Sequence, residues 1–379
     1  MIDPAPTRRL SSIDALRGLV MVVMLLDHVR DTFYTHMTVG DPVDARLIAP
    51  AYFATRLLSS ICAPVFIALT GLSAWLYGRT RGRAATSAFL LKRGLFLMLL
   101  EVTLVGFAWD PRLPPQTLWL QVIWAIGVSM VALAALIHLP RAGVIAVGAA
   151  IVLGHNLLDP ITVPPGDPFH IPWALLHHRE ALQIGALTVK TSYPVLPWIG
   201  VIALGYAIGP WFAEGPALRR RRLVRWGAGL LLGFVALRAV NLYGDAPWFV
   251  VPGSPLRTAM SMIALTKYPP SLLYLLPTLG IGAWLLAAFE RWDGAIARRL
   301  TVLGGAPMGF YLFHLYVLRL LYLGALAIWG PNQGKVYGFH ALASVWLLAA
   351  ILIVLLYPPT RWFAGLKRRR PDLTWLKYL

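Results

Sequence analysis

An all-α transmembrane bundle of about ten helices, forming a single domain over residues 1–379 with both termini cytoplasmic, is what this sequence predicts, on three grounds. Hydrophobic residues make up 58% of the 379 positions and charged residues only 13%, about half the charged share of a soluble domain. Mean hydropathy is +0.67, more apolar surface than a soluble core needs. Apolar stretches of near-spanning length recur along the whole chain, separated by short polar or Pro/Gly-rich connectors.

In chain order the candidate helices lie near 13–34, 51–77, 88–109, 117–138, 142–159, 193–213, 224–243, 271–289, 300–323 and 338–357. The first begins after Arg8 and Arg9 and has the basic start of a signal peptide. No small-residue cleavage site follows its apolar run, so it is kept as a helix. Pro269-Pro270 and Pro358-Pro359 are expected at helix edges, because proline lacks the amide donor and restricts the residue before it.

The net charge of +18 would suggest nucleic acid in a soluble protein. Here the excess sits in alternate connectors, including Arg219 to Arg222 and Lys367 to Arg370. That is the positive-inside pattern and orients the chain with both termini inside. Nucleic acid is therefore not expected as a partner, whereas membrane lipids are. Cys62 is the single cysteine, which excludes an internal disulfide framework and a thiolate metal cluster. The outer connectors 160–192 and 244–270 are rich in Pro, Trp and His, the composition of loops that build binding surfaces.

The first helix is the unusual one. Between Arg17 and Asp27 its uninterrupted apolar run is Gly18 to Leu26, which reaches only about 13 Å as a helix against roughly 30 Å of hydrocarbon. Asp14 and Arg17 on one side, and Asp27, His28, Arg30 and Asp31 on the other, are thus drawn towards membrane depth, where ionisable groups are costly unless paired or facing a wet cavity. Arg17 and His28 are eleven residues apart, so they share a helix face about 16 Å apart along the axis. An imidazole at one end of that face suits general-base work, and a guanidinium at the other suits a phosphate. The rival reading has Arg17 snorkelling to the headgroups beside Asp14 while His28 caps the outer end. Asp27 or Asp31 can orient His28, although Asp31 can equally form a plain charge patch with Arg30.

These residues are similar to a known family. RLSSIDALRGLVMVVMLLDHVRDTF resembles the opening of bacterial membrane proteins related to the heparan-alpha-glucosaminide N-acetyltransferase catalytic domain. SSICAPVFIALTGLSAWLYGR (59–79), LQVIWAIGVSM (120–130), YPVLPWIGVIALGYAIG (193–209), TKYPPSLLYLLPTLG (266–280) and GAPMGFYLFHLYVLRLLY (305–322) resemble its later segments. The Arg17 to His28 spacing is also similar to the Arg-x10-His signature of the wider transmembrane acyltransferase superfamily. The resemblance implies a membrane acyltransferase in the bacterial cytoplasmic membrane that uses acetyl-CoA or another acyl-CoA as donor, needs no metal, and acts on a sugar or other acceptor at the outer face. His28 is the first candidate for the base and His36 the second, with direct transfer and an acyl-histidine both open. A homodimer is compatible with this reading.

Further candidates sit elsewhere. His314, inside an apolar helix, and Arg319 five residues on suggest a polar cavity shared with Arg17 and Asp14, here taken as the donor-binding set. Glu101 is a buried counter-ion or a substrate contact. Gln121, Trp124 and Ser129 either line a cavity or bond between helices. Asn241, Asp245, Trp248, Lys267 and Tyr268 are candidate acceptor contacts, against membership of an aromatic belt. His177-His178-Arg179-Glu180 lacks the i, i+4 histidine pair of a zinc helix, so no metal is expected there. The rival functions are a transporter or lipid-handling protein without acyl chemistry, and a scaffold or sensor.

Overall fold

The computed structural model describes residues 11–34, 36–37, 40–370 and 372–378; Arg8 and Arg9 lie outside the described residues. Helices dominate: α1 (Ser11–Phe33), α2 (Pro50–Ser59), α3 (Cys62–Leu100), α4 (Gly106–Trp109), α5 (Val122–Leu136), α6 (Arg141–Gly154) and α7 (His170–Leu176) fill the first half. They are followed by α8 (Leu196–Ala207), α9 (Pro216–Val240), α10 (Pro255–Ile263), α11 (Leu272–Phe289), α12 (Ala295–Gly304), α13 (Pro307–Trp329) and α14 (Leu342–Arg369). Seven helical stretches are long and apolar enough to cross a membrane, and α5 is a shorter apolar helix. The longest stretch, Pro50–Trp109, supplies two crossings, because α3 folds back on itself at Gly82. Gly82 has φ +77°, a conformation that costs a residue with a Cβ. Beyond it the Tyr77 and Phe89 rings stack at 4.4 Å.

With α1 added, each sequence-predicted span has its helix, and several boundaries differ: 51–77 is divided between α2 and α3, and α9 starts at Pro216 rather than near 224. The 300–323 segment is two helices: α12 ends at Gly304 and α13 opens on Pro307, whose missing N–H costs nothing at a helix start. Pro358 and Pro359 lie inside α14 rather than at its edge, as membrane helices tolerate. The 117–138 segment opens as a strand. β1 (Thr117–Trp119) pairs parallel with β3 (Leu187–Lys190), which pairs antiparallel with β2 (Ala181–Ile184). This small sheet is built from the outer connectors.

α1 sits in the centre of the bundle and buries nearly its whole length, charged groups included. Close backbone approach seats it: a Cβ on Gly18 would lie 2.0 Å from the Leu300 carbonyl oxygen, and one on Gly304 would lie 1.8 Å from that of Asp14. Glycine at these two positions lets α12 press against the inner half of α1.

Both described chain ends lie at the same end of the bundle. The Thr301 hydroxyl donates to the Ser11 carbonyl at 3.4 Å, and Tyr378 stacks on Phe89 at 5.9 Å. The start of α9 and the end of α11 meet there too, where Arg219 pairs with Glu290. The positive-inside rule assigns this end to the cytoplasm, and it is called the inner end below. At the outer end a separate apolar cluster of Ala45, Ile48, Tyr52, Phe53 and Met260 joins α2 to α10.

Candidate active site

Two cavities enter the bundle and share a wall. The inner one, of about 310 Å³, is lined along α1 by Arg17, Met24, Asp27 and His28. The outer one, of about 440 Å³, is lined by Asp31, Asp41, Trp119, Gln121, Arg179 and Tyr268 among others. Tyr193 and Lys267 line both. The helix face expected to carry Arg17 and His28 therefore looks into one hollow.

His28 is buried, and its Nδ1 lies 2.6 Å from Nε2 of His314, with the two rings stacked at 4.9 Å. His314 Nδ1 lies 2.9 Å from the Phe310 carbonyl oxygen. A carbonyl only accepts, so His314 carries its proton on Nδ1 and, when neutral, accepts at Nε2 from His28 Nδ1–H. The tautomer chain leaves Nε2 of His28 with a bare lone pair, the form a general base needs. Tyr311, on α13 beside His314, stands edge-on to His28 at 5.9 Å. It lines the inner cavity, and its buried hydroxyl has no hydrogen-bond partner among the described residues.

Next to the dyad is a compact charge cluster. Asp27 pairs with Arg30 at 2.8 Å and with Lys267 at 3.5 Å, and accepts from the Ser59 hydroxyl at 2.8 Å. Arg30 also pairs with Asp31 at 2.7 Å. Two carboxylates and two cations balance, which is how buried charge is retained at tolerable cost. Lys267 comes from the loop before α11. Asp41 accepts from the backbone N–H of Lys267 at 3.1 Å and of Tyr268 at 2.8 Å, which pins the loop. Burial pushes the Asp41 carboxyl above its ordinary range, even though those two amides favour its charged form.

At the inner end, Arg17 donates to the Ser73 hydroxyl, to the Leu69 carbonyl at 3.4 Å and to Asp14 at 3.2 Å. Arg93 and Lys367 line the same mouth. Arg93 Nε is buried with no partner, and no carboxylate pairs with it among the described residues. A phosphate-bearing group entering here would meet three cations.

Several sequence expectations are corrected. Neither Asp27 nor Asp31 orients His28; His314 does. His36 lines neither cavity and packs beside Tyr34, with ring centroids 4.9 Å apart. Of the expected donor-binding set only Arg17 lines the inner cavity; Asp14 and His314 line neither cavity and touch it through Arg17 and His28, and Arg319 lines a separate pocket with Asp31, Trp109 and Tyr322. Glu101 is no counter-ion among the described residues: its carboxylate accepts from the Trp124 backbone N–H at 2.9 Å and caps α5. Glu101 and Trp124 line neither cavity. Asp245 is a loop brace, accepting from the Thr266 backbone at 2.9 Å and its hydroxyl at 2.6 Å. Asn241 and Trp248 likewise bond to each other's backbone and side-chain groups. Gln121, Lys267 and Tyr268 do line the outer cavity. Tyr193, Tyr311, Arg93 and Arg179 were not singled out as site residues, because each is placed by a helix or loop distant in sequence.

A buried imidazole pair inside a membrane bundle, with His28 on the wall of the inner cavity, defines an integral membrane protein with a chemically equipped interior. A family model described as heparan-alpha-glucosaminide N-acetyltransferase, catalytic, matches residues 9–240. The chain belongs to this family of membrane acetyltransferases. The match carries α1 and the inner cations Arg17 and Arg93, whereas Lys267, Tyr311 and His314 lie beyond it. No curated protein matches the chain.

Proposed function

We propose that the protein transfers an acyl group, acetyl in the first place, from cytoplasmic acyl-CoA to a hydroxyl or amine of a sugar or other acceptor at the outer face of a bacterial cytoplasmic membrane. The observation that carries this reading is His28 on the wall of the inner cavity, its Nδ1 committed to His314, with the outer cavity adjoining that cavity through Tyr193 and Lys267.

The donor lies along α1, with its phosphates at Arg17, Arg93 and Lys367. The axial distance of about 16 Å from Arg17 to His28 is commensurate with the extended pantetheine arm between pyrophosphate and thioester. The acceptor enters from the outer cavity, where Trp119 and Tyr268 offer stacking faces and Gln121, Asp31 and Arg179 offer hydrogen bonds. His28 Nε2 removes the acceptor proton as the oxygen or nitrogen bonds to the thioester carbonyl carbon. Tyr311 donates to the carbonyl oxygen as charge develops on it. The carbon–sulfur bond then breaks, and the CoA thiolate recovers the proton from His28. His314 positions the ring and shares the transient positive charge across their hydrogen bond. This reading favours direct transfer, with the acceptor reaching the base past the shared wall of Tyr193 and Lys267.

The test is purified protein in detergent with labelled acetyl-CoA and a panel of amino sugars and glycosides. Wild type is expected to bind the donor and turn over, His28→Ala to bind without turnover, and His36→Ala to retain activity. Full activity in His28→Ala would refute the assignment. Uptake of a solute into proteoliposomes without any acyl donor, abolished by Arg17→Gln, would replace it with transport.

A further inference from the structure

The geometry points to a divalent transition-metal site, zinc in the first place, formed by His155, Asp159 and His177 at the outer end of the bundle. His155 opens the short turn His155–Leu158 that follows α6, Asp159 comes four residues later, and His177 closes α7. One potential ligand atom from each of the three falls within 4.8 Å of the others. His155 and His177 are buried, at 1% and 3% exposure, whereas the Asp159 side chain is half-exposed.

The second observation is the state of His155. Neither of its ring nitrogens has a hydrogen-bond partner among the described residues, although the ring is enclosed and lies 5.9 Å from that of His177. Buried polar groups are almost always satisfied, and an orphan in a native structure calls for an explanation such as an ion. The surroundings are arranged as around a metal. Asn156 Nδ2 holds Asp159 Oδ2 at 2.9 Å, while Oδ1 turns towards His177 Nε2 at 3.6 Å. Trp173 stacks on the His177 ring at 5.2 Å and fixes its plane. Such outer contacts orient metal ligands.

Two imidazoles and one carboxylate suit zinc better than magnesium or calcium, which prefer all-oxygen sets. A tetrahedral site with bonds of about 2.1 Å holds its ligands about 3.4 Å apart, so modest side-chain rotation closes the set. His177 then exchanges its 2.8 Å hydrogen bond to the His155 carbonyl for the metal. A pocket of about 320 Å³ lined by Asp159 and His177 gives solvent a fourth position. The isolated His177-His178 tract lacks the i, i+4 pairing, and here the turn after α6 supplies the missing histidine from another segment. The metal would clip the connector carrying β2 and β3 to the end of α6. Arg179 and Tyr268 border both this pocket and the outer cavity. The site is independent of the acyltransferase reading.

The experiment uses the full chain in detergent, stripped with a chelator and titrated with zinc and with cobalt(II). Wild type is expected to take up one zinc per chain, to show the visible absorption of low-symmetry four-coordinate cobalt, and to melt several degrees higher with zinc than without. His177→Gln and His155→Gln are expected to lose all three responses. Asp159→Asn, at a half-exposed position that does not threaten folding, is expected to weaken zinc about tenfold or more. His178→Gln, at the exposed neighbour, keeps wild-type binding. Stripped wild type without cobalt absorption, or absorption unchanged in Asp159→Asn and His177→Gln, would overturn the site.

Discussion

The two cavities differ in kind although they share Tyr193 and Lys267. The inner one has apolar walls such as Met24, Phe66, Leu97, Ile126 and Met130 and gathers Arg17, Arg93 and Lys367 at its inner mouth. The outer one mixes both signs of charge with aromatic faces: Asp31 and Asp41 stand with Arg56 and Arg179, and Trp119 with Tyr268. A narrow greasy channel with a cationic mouth suits an anion trailing a long flexible arm. A wide mixed surface suits a neutral, hydroxyl-rich molecule. On the proposed reading the inner half takes the donor and the outer half the acceptor, so mutations in each should affect different kinetic constants.

The largest effect is expected where the cavities meet. His28→Ala should lower kcat about a thousandfold, within the usual range for a lost general base, with donor affinity retained; single-turnover assays with labelled donor read both. Tyr311→Phe removes one hydroxyl and should lower kcat about a hundredfold, the scale for one donor to a developing oxyanion. An unchanged kcat in Tyr311→Phe would leave that buried hydroxyl without a role in the chemistry. Arg93→Gln removes a charged contact worth about 1.5–3 kcal/mol. It is expected to raise KM for acyl-CoA by roughly tenfold to a hundredfold, with kcat and the acceptor KM little changed. A change confined to the acceptor KM would reverse the assignment of the two cavities.

How much of this was legible in the sequence follows from physical range. The first helix announced itself because nine apolar residues cannot cross a membrane, so its charged flanks had to be housed in the interior. That reasoning places Arg17, Asp27 and His28 without any knowledge of their neighbours. The partners were not legible. His314 lies 286 residues from His28, and only packing of α13 on α1 brings the imidazoles together. Arg93 was absorbed into a basic connector whose other members serve topology, and only the hairpin at Gly82 turns it into the cavity. Glu101 misled for the opposite reason. A carboxylate in an apolar helix reads as a counter-ion, but one of its oxygens is taken by the Trp124 backbone N–H at the start of α5 instead. The His155 and His177 pairing was equally hidden, because separate segments contribute the ligands.

The smallest expected effect tests the outer half of the comparison. Tyr268 is held between Arg179, whose guanidinium lies 5.1 Å from its ring, and Tyr193, whose hydroxyl is 3.1 Å away. Tyr268→Phe keeps the ring and its cation contact but loses the hydroxyl bond, so the acceptor KM should rise only a fewfold. Trp119→Ala removes a stacking face as well as the support that Lys190 finds over that ring at 4.1 Å. Stacking of this kind contributes about 0.5–1.5 kcal/mol, so the acceptor KM should rise by roughly threefold to tenfold. Neither change should alter the KM for acyl-CoA, because neither side chain reaches the inner cavity. If both mutants shift the donor constant by as much as the acceptor constant, the shared wall of Tyr193 and Lys267 is no partition. The two hollows would then work as one continuous passage, which is what a transporter requires.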